Sequence, residues 1–388
     1  MVKKLYYTKA LLKYELEKCL NCVDKPCKQA CPVGCEPSFF IRKAKEQDFI
    51  SAAHSIREKN PLGEICGLVC SSKFCMRACT RSKIDCPVNI PKIQATILQE
   101  VKEKDVLVSD LKKEKIAVVG GGPAGIGAVV AFVKNGFSCT LFEENEKIGG
   151  MLNLIPSSRL PVSTLEKELN NILSLPYLKV QTNVKILDPL KLIQEGYDYV
   201  VMATGEGDIK SLNLEGEEHM VSCFDYLKNK DSFSSLRKVA IIGAGNVALD
   251  CVNVLKEKGV SDIEMFMRRP LYLMKVDKER IFELIESKVN LHPNSAPIKI
   301  EKNGDYFSVS SAKTMMVNDS LSQTNEVSVY DGFDLVIKAV GGREVHQIQH
   351  AQIFYAGECK LHASSVVESL ADGIQTAYKI INPLLNLK

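Results

Sequence analysis

Apolar positions along this chain follow two periods. Short runs rich in β-branched residues recur at Ile116–Val119, Cys139–Phe142, Tyr199–Met202, Val239–Ile242 and Ile263–Met267. Between them lie helical patterns such as Ile126, Val129, Val130 and Val133, or Val247, Cys251, Val254 and Leu255. Strands alternating with helices predict βαβ units and parallel sheets. The first hundred residues read differently. Leu11, Leu12 and Leu16 suit one amphipathic helix, and Phe39–Lys59 repeats apolar residues at helical spacing (Phe40, Ile41, Ala44, Phe49, Ala52, Ile56). A last helix is predicted from Val367, Leu370, Ile374, Ala377 and Ile380, opened by the capping box Ser365-x-x-Glu368. The expected fold is therefore multi-domain: an α-helical N-terminal domain, then two Rossmann-like α/β domains.

The first β-branched run leads into Gly120-Gly121-Gly122-Pro123-Ala124-Gly125, and the run after the helix closes on Glu143. Gly120 allows the tight turn, Gly122 lets backbone approach a pyrophosphate, and Gly125 lets helix and strand pack closely. The helix N-terminus favours the anion, and Glu143 suits the ribose hydroxyls of an adenosine. Residues 116–133 carry no charge, but the glycines and Pro123 fall where a βαβ turn needs them, which excludes a membrane span. Lys147-Ile148-Gly149-Gly150-Met151 is expected to pass close beneath the bound dinucleotide. A second turn, Gly243-Ala244-Gly245-Asn246-Val247-Ala248, opens another helix. Its next strand ends not on an acid but on Arg268-Arg269. An acid there binds the 2′-hydroxyl of NAD, whereas arginine accommodates the 2′-phosphate of NADP, so the reading leans to NADPH over NADH. Two dinucleotide turns in one chain imply hydride transfer between their ligands.

A length of 388 residues suits two to three domains, and 45% hydrophobic with 25% charged residues argues against disorder. A net charge of +3 names no nucleic-acid or membrane partner. The N-terminus has no apolar stretch before a cleavage site, so a cytoplasmic location is expected. Fourteen cysteines are present, and those from Cys19 to Cys86 crowd one segment. In a reducing compartment that pattern points to metal or redox chemistry rather than disulfides. Cys19-x2-Cys22-x4-Cys27-x3-Cys31-Pro32 departs from the bacterial ferredoxin spacing by its gap of four, and Cys66-x3-Cys70-x4-Cys75-x3-Cys79 follows. Two structural zinc sites are the rival, but only Cys19 and Cys22 have the spacing of a zinc knuckle. Cys31-Pro32 and the adjoining dinucleotide turn favour iron–sulfur.

KCLNCVDKPCKQACP, REKNPLGEICGLVC and CMRACTRSKIDCPVNIPKIQ, together with the first glycine turn, resemble the dihydropyrimidine dehydrogenase family. They are most similar to the flavin and iron–sulfur subunit of its bacterial two-component form, and more distantly to the glutamate synthase small subunit. The resemblance implies residues 1–112 as a helical iron–sulfur domain, 113–235 with 346–388 as the FAD domain, and 236–345 as an inserted NAD(P) domain. It implies two 4Fe–4S clusters, one on Cys19, Cys22, Cys27 and Cys79, the other on Cys31, Cys70, Cys75 and Gln94. Cys35, Cys66 and Cys86 are left as packing or incidental thiols. In the family, the arginine of a segment like Ile155–Pro161 lies between flavin and the nearer cluster, which implies Arg159 beside the flavin as the one catalytic candidate. Ala203-Thr204-Gly205 resembles the crossover out of the FAD domain, and Leu335–Gly342, with Gly341 beside the cofactor, the crossover back. Gly357-Glu358 resembles the Gly-Asp that binds the ribityl chain, with an acid one methylene longer. Ser365 and Val366 would point a helix N-terminus at the flavin.

The implied activity is electron input: hydride from NAD(P)H to FAD, then single electrons through the clusters. The chain ends where dihydropyrimidine dehydrogenase continues into an FMN barrel. A separate, FMN-containing catalytic subunit reducing uracil or thymine is therefore expected, in a hetero-oligomer. Glutamate synthase or another reductase as acceptor is the alternative. A disulfide reductase needs a C-x-x-C beside the flavin, and Cys139, Cys223, Cys251 and Cys359 supply none. A scaffold that has lost its cofactors is the reading from outside the enzymes. Asn303-Gly304 and Asp331-Gly332 predict hairpin turns, Met315–Glu326 a polar surface excursion, and Glu100–Glu114 a helix end and linker.

Overall fold

The computed structural model describes residues 5–101, 108–206, 209–318, 320–342, 345–360 and 364–386. The predicted linker at 100–114 falls partly outside them. The chain packs as two units, Met1–Gly207 with Glu344–Lys388, and Asp208–Arg343.

In the first unit, helices α1 (Lys9–Glu17), α2 (Pro26–Gln29), α3 (Pro37–Lys45), α4 (Phe49–Lys59), α5 (Gly63–Val69), α6 (Cys75–Ala78) and α7 (Ile90–Glu100) form the N-terminal block. The periodic stretch Phe39–Lys59 is two helices rather than one. Gln47 takes φ 62°, and Asp48 then caps α4 by accepting from Ser51 N at 3.1 Å. Phe40, Ile41, Ala44, Ala52, Ile56, Ile93 and Ile97 form the block's apolar core. Helix α5 lies flush on α7, because Gly67 carries no Cβ to strike the backbone nitrogen of Ala95.

The chain continues through β1 (Lys115–Val119), α8 (Pro123–Lys134), β2 (Ser138–Phe142), α9 (Val162–Leu173), β3 (Leu178–Gln181), α10 (Pro189–Gln194) and β4 (Tyr199–Met202). The second unit holds β5 (Val221–Ser222), α11 (Cys223–Lys228), β6 (Lys238–Ile242), α12 (Asn246–Glu257), β7 (Asp262–Met267) and α13 (Lys278–Glu286). Strands β8 (Asn290–Pro293), β9 (Ser295–Asn303), β10 (Tyr306–Val317), β11 (Ser320–Phe333) and β12 (Leu335–Lys338) complete it. The first unit then regains β13 (Ile353–Tyr355) and α14 (Val366–Leu384).

Strand order in the first unit's parallel sheet is β13-β4-β1-β2-β3. Val118, Leu141 and Val201 sit fully buried in its core. Helices α8 and α14 cross in close contact because their crossing points are glycines. A Cβ at Gly127 would strike the carbonyl of Leu370, and one at Gly373 that of Ala124.

The second unit's parallel sheet runs β5-β12-β6-β7-β8, with β9, β10 and β11 as a separate antiparallel sheet. Its β5 pairs with β12 through Val221 and Ser222, so this unit starts ahead of the boundary at 236 drawn from sequence. The β9–β10 hairpin turns at Gly304-Asp305, one residue past the predicted pair, with Asn303 paired to Tyr306 as the last residue of β9. Asp331-Gly332 does not make a turn. It lies within β11, where pairing steps from Phe307↔Phe333 to Val309↔Tyr330, leaving one extra residue on β11. Gly332 at φ 81° absorbs that bulge. Met315–Glu326 is largely exposed, as a surface excursion should be, and its two arms pair with each other, Met315↔Ser322 and Met316↔Leu321. Among the described residues no helix is long and apolar enough to cross a membrane.

Candidate functional site: the cysteine block and two glycine turns

The cysteines gather in two groups. Cys19, Cys22, Cys27 and Cys79 line one cavity, whose remaining wall includes Leu20, Pro26, Ile41 and Val88. Loop 19–27 supplies three of these thiols, bent by Asn21 and Lys25 at φ 51° and 45°. Burial pushes the Cys27 thiol up to about 11, and the neighbouring Cys19 and Cys79 sulfurs add to it. The second group holds Cys31, Cys70 and Cys75, and also Cys35 and Cys66, two thiols that the sequence reading set aside. A Cys31–Cys35 hydrogen bond lowers Cys31 to about 6 and raises Cys35, on which burial also acts. Cys66 does the same to Cys70, which is raised by that bond and by burial. Burial raises Cys75 to about 12, with Cys31 and Cys27 contributing. A metal bound there would have to displace the protons that burial holds on Cys27, Cys70 and Cys75. Among the described residues no three His, Cys, Asp or Glu side chains form a site for a single ion. The four thiols of the first group face the shared cavity.

Gln94 is buried on α7, and its amide donates to Gly63 O at 2.6 Å. That bond ties it to the start of α5, the helix that carries Cys66 and leads to Cys70. Cys86 is exposed and lies outside both groups.

Part of the second group stands on the side of the block that meets α8 and α14. Val33, Leu68, Val69, Cys70 and Phe74 pack against the apolar core that α8, β1 and α14 share. Arg159 donates from Nη2 to Val69 O at 3.3 Å, one residue before Cys70. Lys73, between Cys70 and Cys75, pairs with Glu368 of the α14 capping box at 3.0 Å. Cys19, Cys27 and Cys79 of the first group pack against the helical core, as does Cys75 of the second. Two further carboxylates seal the seam. Glu168 of α9 accepts from Glu64 N and Ile65 N, each at 2.9 Å. Glu64 in turn accepts from Tyr6 OH at 2.8 Å and from Lys167 Nζ. No sequence pattern announces this network.

The first glycine turn has the shape a pyrophosphate needs. Gly120 at φ 104° fits against the Ala203 carbonyl, and Gly125 fits against the Gly120 carbonyl, with no room at either for a Cβ. Gly122 is the N-cap of α8 and meets only Gly150 Cα, at 4.0 Å. Gly149 N donates to Gly121 O at 2.8 Å, so Lys147–Met151 does cross beside the turn. Glu143 is buried and accepts from Gly121 N at 2.7 Å and from Asn145 N at 2.9 Å. Thr204 and Gly205, the latter at φ 78°, continue from β4 beside Gly120. Gly357 N donates to Asp372 at 2.8 Å, and Glu358 accepts from Ser364 N at 2.9 Å. Burial raises the Glu358 carboxyl. Ser365 caps α14, and Val366 is its first residue. These residues fit a dinucleotide with its pyrophosphate at the N-terminus of α8.

In the second unit Gly243, at φ 128°, fits against the Ala339 carbonyl. Gly245 caps α12 and has nothing within 4 Å of its missing Cβ, which leaves an open cradle before Asn246, Val247 and Ala248. Gly341 O accepts from Lys210 N at 2.9 Å where the chain crosses back. Arg268 and Arg269 are both exposed at the end of β7.

Residues 2–106 match the family model described as dihydropyrimidine dehydrogenase domain II, 4Fe–4S cluster. Residues 114–365 match that of pyridine nucleotide-disulphide oxidoreductases. The NAD-dependent dihydropyrimidine dehydrogenase subunit PreT of Salmonella typhimurium is 34% identical over 277 residues, covering 68% of this chain and 67% of that one. PreT of Escherichia coli K12 is 28% identical over 394 residues, covering 96% and 94%. FprA of Mycobacterium tuberculosis, solved with NADPH, shares the fold with a TM-score of 0.62 at 16% identity, covering 71% of this chain and 85% of that one. The chain therefore belongs to the pyridine nucleotide-disulphide oxidoreductase family, as an NAD(P)H-dependent oxidoreductase that resembles PreT and carries the 4Fe–4S domain of dihydropyrimidine dehydrogenase at its N-terminus.

Proposed function

We propose that this chain is the electron-input subunit of a two-component dihydropyrimidine dehydrogenase. It takes hydride from NADPH or NADH and delivers single electrons to a separate, FMN-containing subunit that reduces uracil and thymine. When bound, FAD supplies the step from an electron pair to single electrons, and two 4Fe–4S clusters supply the outlet. The supporting observation is the order of the cysteine groups. Arg159 and Lys73 tie the segment around Cys70 to the core that α8, β1 and α14 share, while Cys19, Cys27 and Cys79 pack against the helical core, and Cys75 of the second group packs there too, between the two. Gln94 is the fourth ligand proposed for the inner cluster.

Glu143 and the first turn of α8 would hold the adenosine and pyrophosphate of FAD, and the α14 N-terminus would favour negative charge at the flavin by up to ~2 kcal/mol. Arg159, held at Val69 O beside Cys70, would stand between the two redox sites, where its charge would offset the negative charge that arrives on reduction. Arg268 and Arg269 support NADPH, whereas the relatives' names carry NAD.

The test is anaerobic co-purification of the chain with its native partner, followed by flavin identification and assay of uracil-dependent oxidation of NADPH and NADH. Recovery of an FMN subunit with uracil-dependent turnover is expected. A partner bearing a glutaminase, or turnover blind to uracil and thymine, would refute the assigned acceptor.

A further inference from the structure

Arg280 of α13 reaches the first turn of α12. Its Nη2 donates to Asp250 Oδ1 at 2.7 Å, and its Nη1 donates to Asn246 Oδ1 at 2.7 Å and to Asn246 O at 3.4 Å. The two charged side chains are 11% and 7% exposed, so the pair is held in place rather than solvated. Asn246 is exposed and directly follows the open cradle at Gly245. A guanidinium can only donate, so the amide oxygen of Asn246 must face it. The two amide N–H groups then point away from Arg280, beside the free backbone N–H groups of the α12 N-terminus. Asp250 offsets the charge of Arg280, which leaves position rather than net charge as what the pair contributes.

We infer that the Arg280–Asp250 pair is a positioning device for the nicotinamide dinucleotide. It fixes the rotamer of Asn246 so that the amide donates to the pyrophosphate. This rests on reading the second unit as the NAD(P)-binding unit. Arg280 is a positioning residue, and Asn246 is the group that touches the ligand.

The test is titration calorimetry of NAD⁺ and NADP⁺ on the anaerobically purified full chain, with flavin and iron content measured alongside. R280Q is expected to weaken binding about tenfold, the worth of one hydrogen bond to an anionic group. N246A should weaken it by a similar factor. The double variant should be no weaker than N246A by more than about twofold, because Arg280 acts through Asn246. R280K, whose ammonium cannot fork to both acceptors, should fall between wild type and R280Q, and it carries the test if R280Q fails to fold. Losses from R280Q and N246A that multiply, or R280Q and R280K binding like wild type, would overturn the role of Arg280. Wild-type protein that binds neither nucleotide would overturn the reading of the second unit, and this inference with it.

Discussion

Glu168 offers a sharp test of how the cysteine block is fastened to the flavin fold. It is buried on α9, and its two carboxylate oxygens hold the second and third N–H groups of α5, those of Glu64 and Ile65. Burial raises its pKa from the ordinary 4.5 to about 7, with nearby Glu64 adding, while those N–H groups and Lys167 pull the other way. Between pH 4.5 and 7 the folded chain therefore binds a proton that the unfolded chain has released. The resulting stability is fully present below pH 4.5 and is lost as pH rises through 7. A rise from 4.5 to about 7 corresponds to about 3 kcal/mol. For a unit of this size that is on the order of 5–10 °C in thermal midpoint. Glu168→Gln cannot ionise, so it should remove this pH slope. It keeps only one acceptor oxygen, so one buried N–H loses its partner at a cost of about 1–3 kcal/mol at every pH. Wild type should thus be more stable than E168Q at pH 5, and the two should converge or cross by pH 8. The assay is the thermal midpoint of both proteins from pH 5 to 8, prepared anaerobically with equal flavin and iron. Parallel pH slopes would refute the assignment of that proton to Glu168.

Gln94→Ala should cost about half of the bound iron and leave flavin content unchanged; iron and sulfide at wild-type levels would remove Gln94 from the ligand set. Gly373→Ala pushes a methyl into the Ala124 carbonyl at the α8–α14 crossing. It should cost about 1–3 kcal/mol or more and loosen FAD, which fluorescence of released flavin would detect; full retention of flavin would show that the crossing has slack. Removing both Arg268 and Arg269 should weaken NADP⁺ binding by about tenfold or more while changing NAD⁺ little. Equal losses for both nucleotides in calorimetry would show that these arginines do not read the 2′-phosphate.

What the sequence made legible is what the backbone demands locally. A turn at positive φ with no room for a Cβ admits only glycine, so Gly120 and Gly243 mark their turns by residue type alone. The Ser365 capping box does the same for α14. Features made by tertiary packing stayed hidden. Cys35 and Cys66 join the inner thiol group because the block's folding carries them there, and spacing along the chain does not encode that. Glu64 and Glu168 meet across 104 residues. Asp331-Gly332 has the residues of a turn and of a bulge alike, and only pairing with β10 decides between them. The break at Gln47 has no glycine or proline to mark it, and β5 is two residues long, too short to carry a periodicity.

The most direct measurement is anaerobic reduction of the purified chain by NADPH and by NADH, followed by flavin absorbance and by low-temperature electron paramagnetic resonance. If electrons enter at the nucleotide-binding unit and leave through iron, one nucleotide or both will bleach the flavin and bring up signals of reduced iron–sulfur centres. Flavin that bleaches while iron stays silent, or zinc in place of iron on the cysteines, would contradict that route.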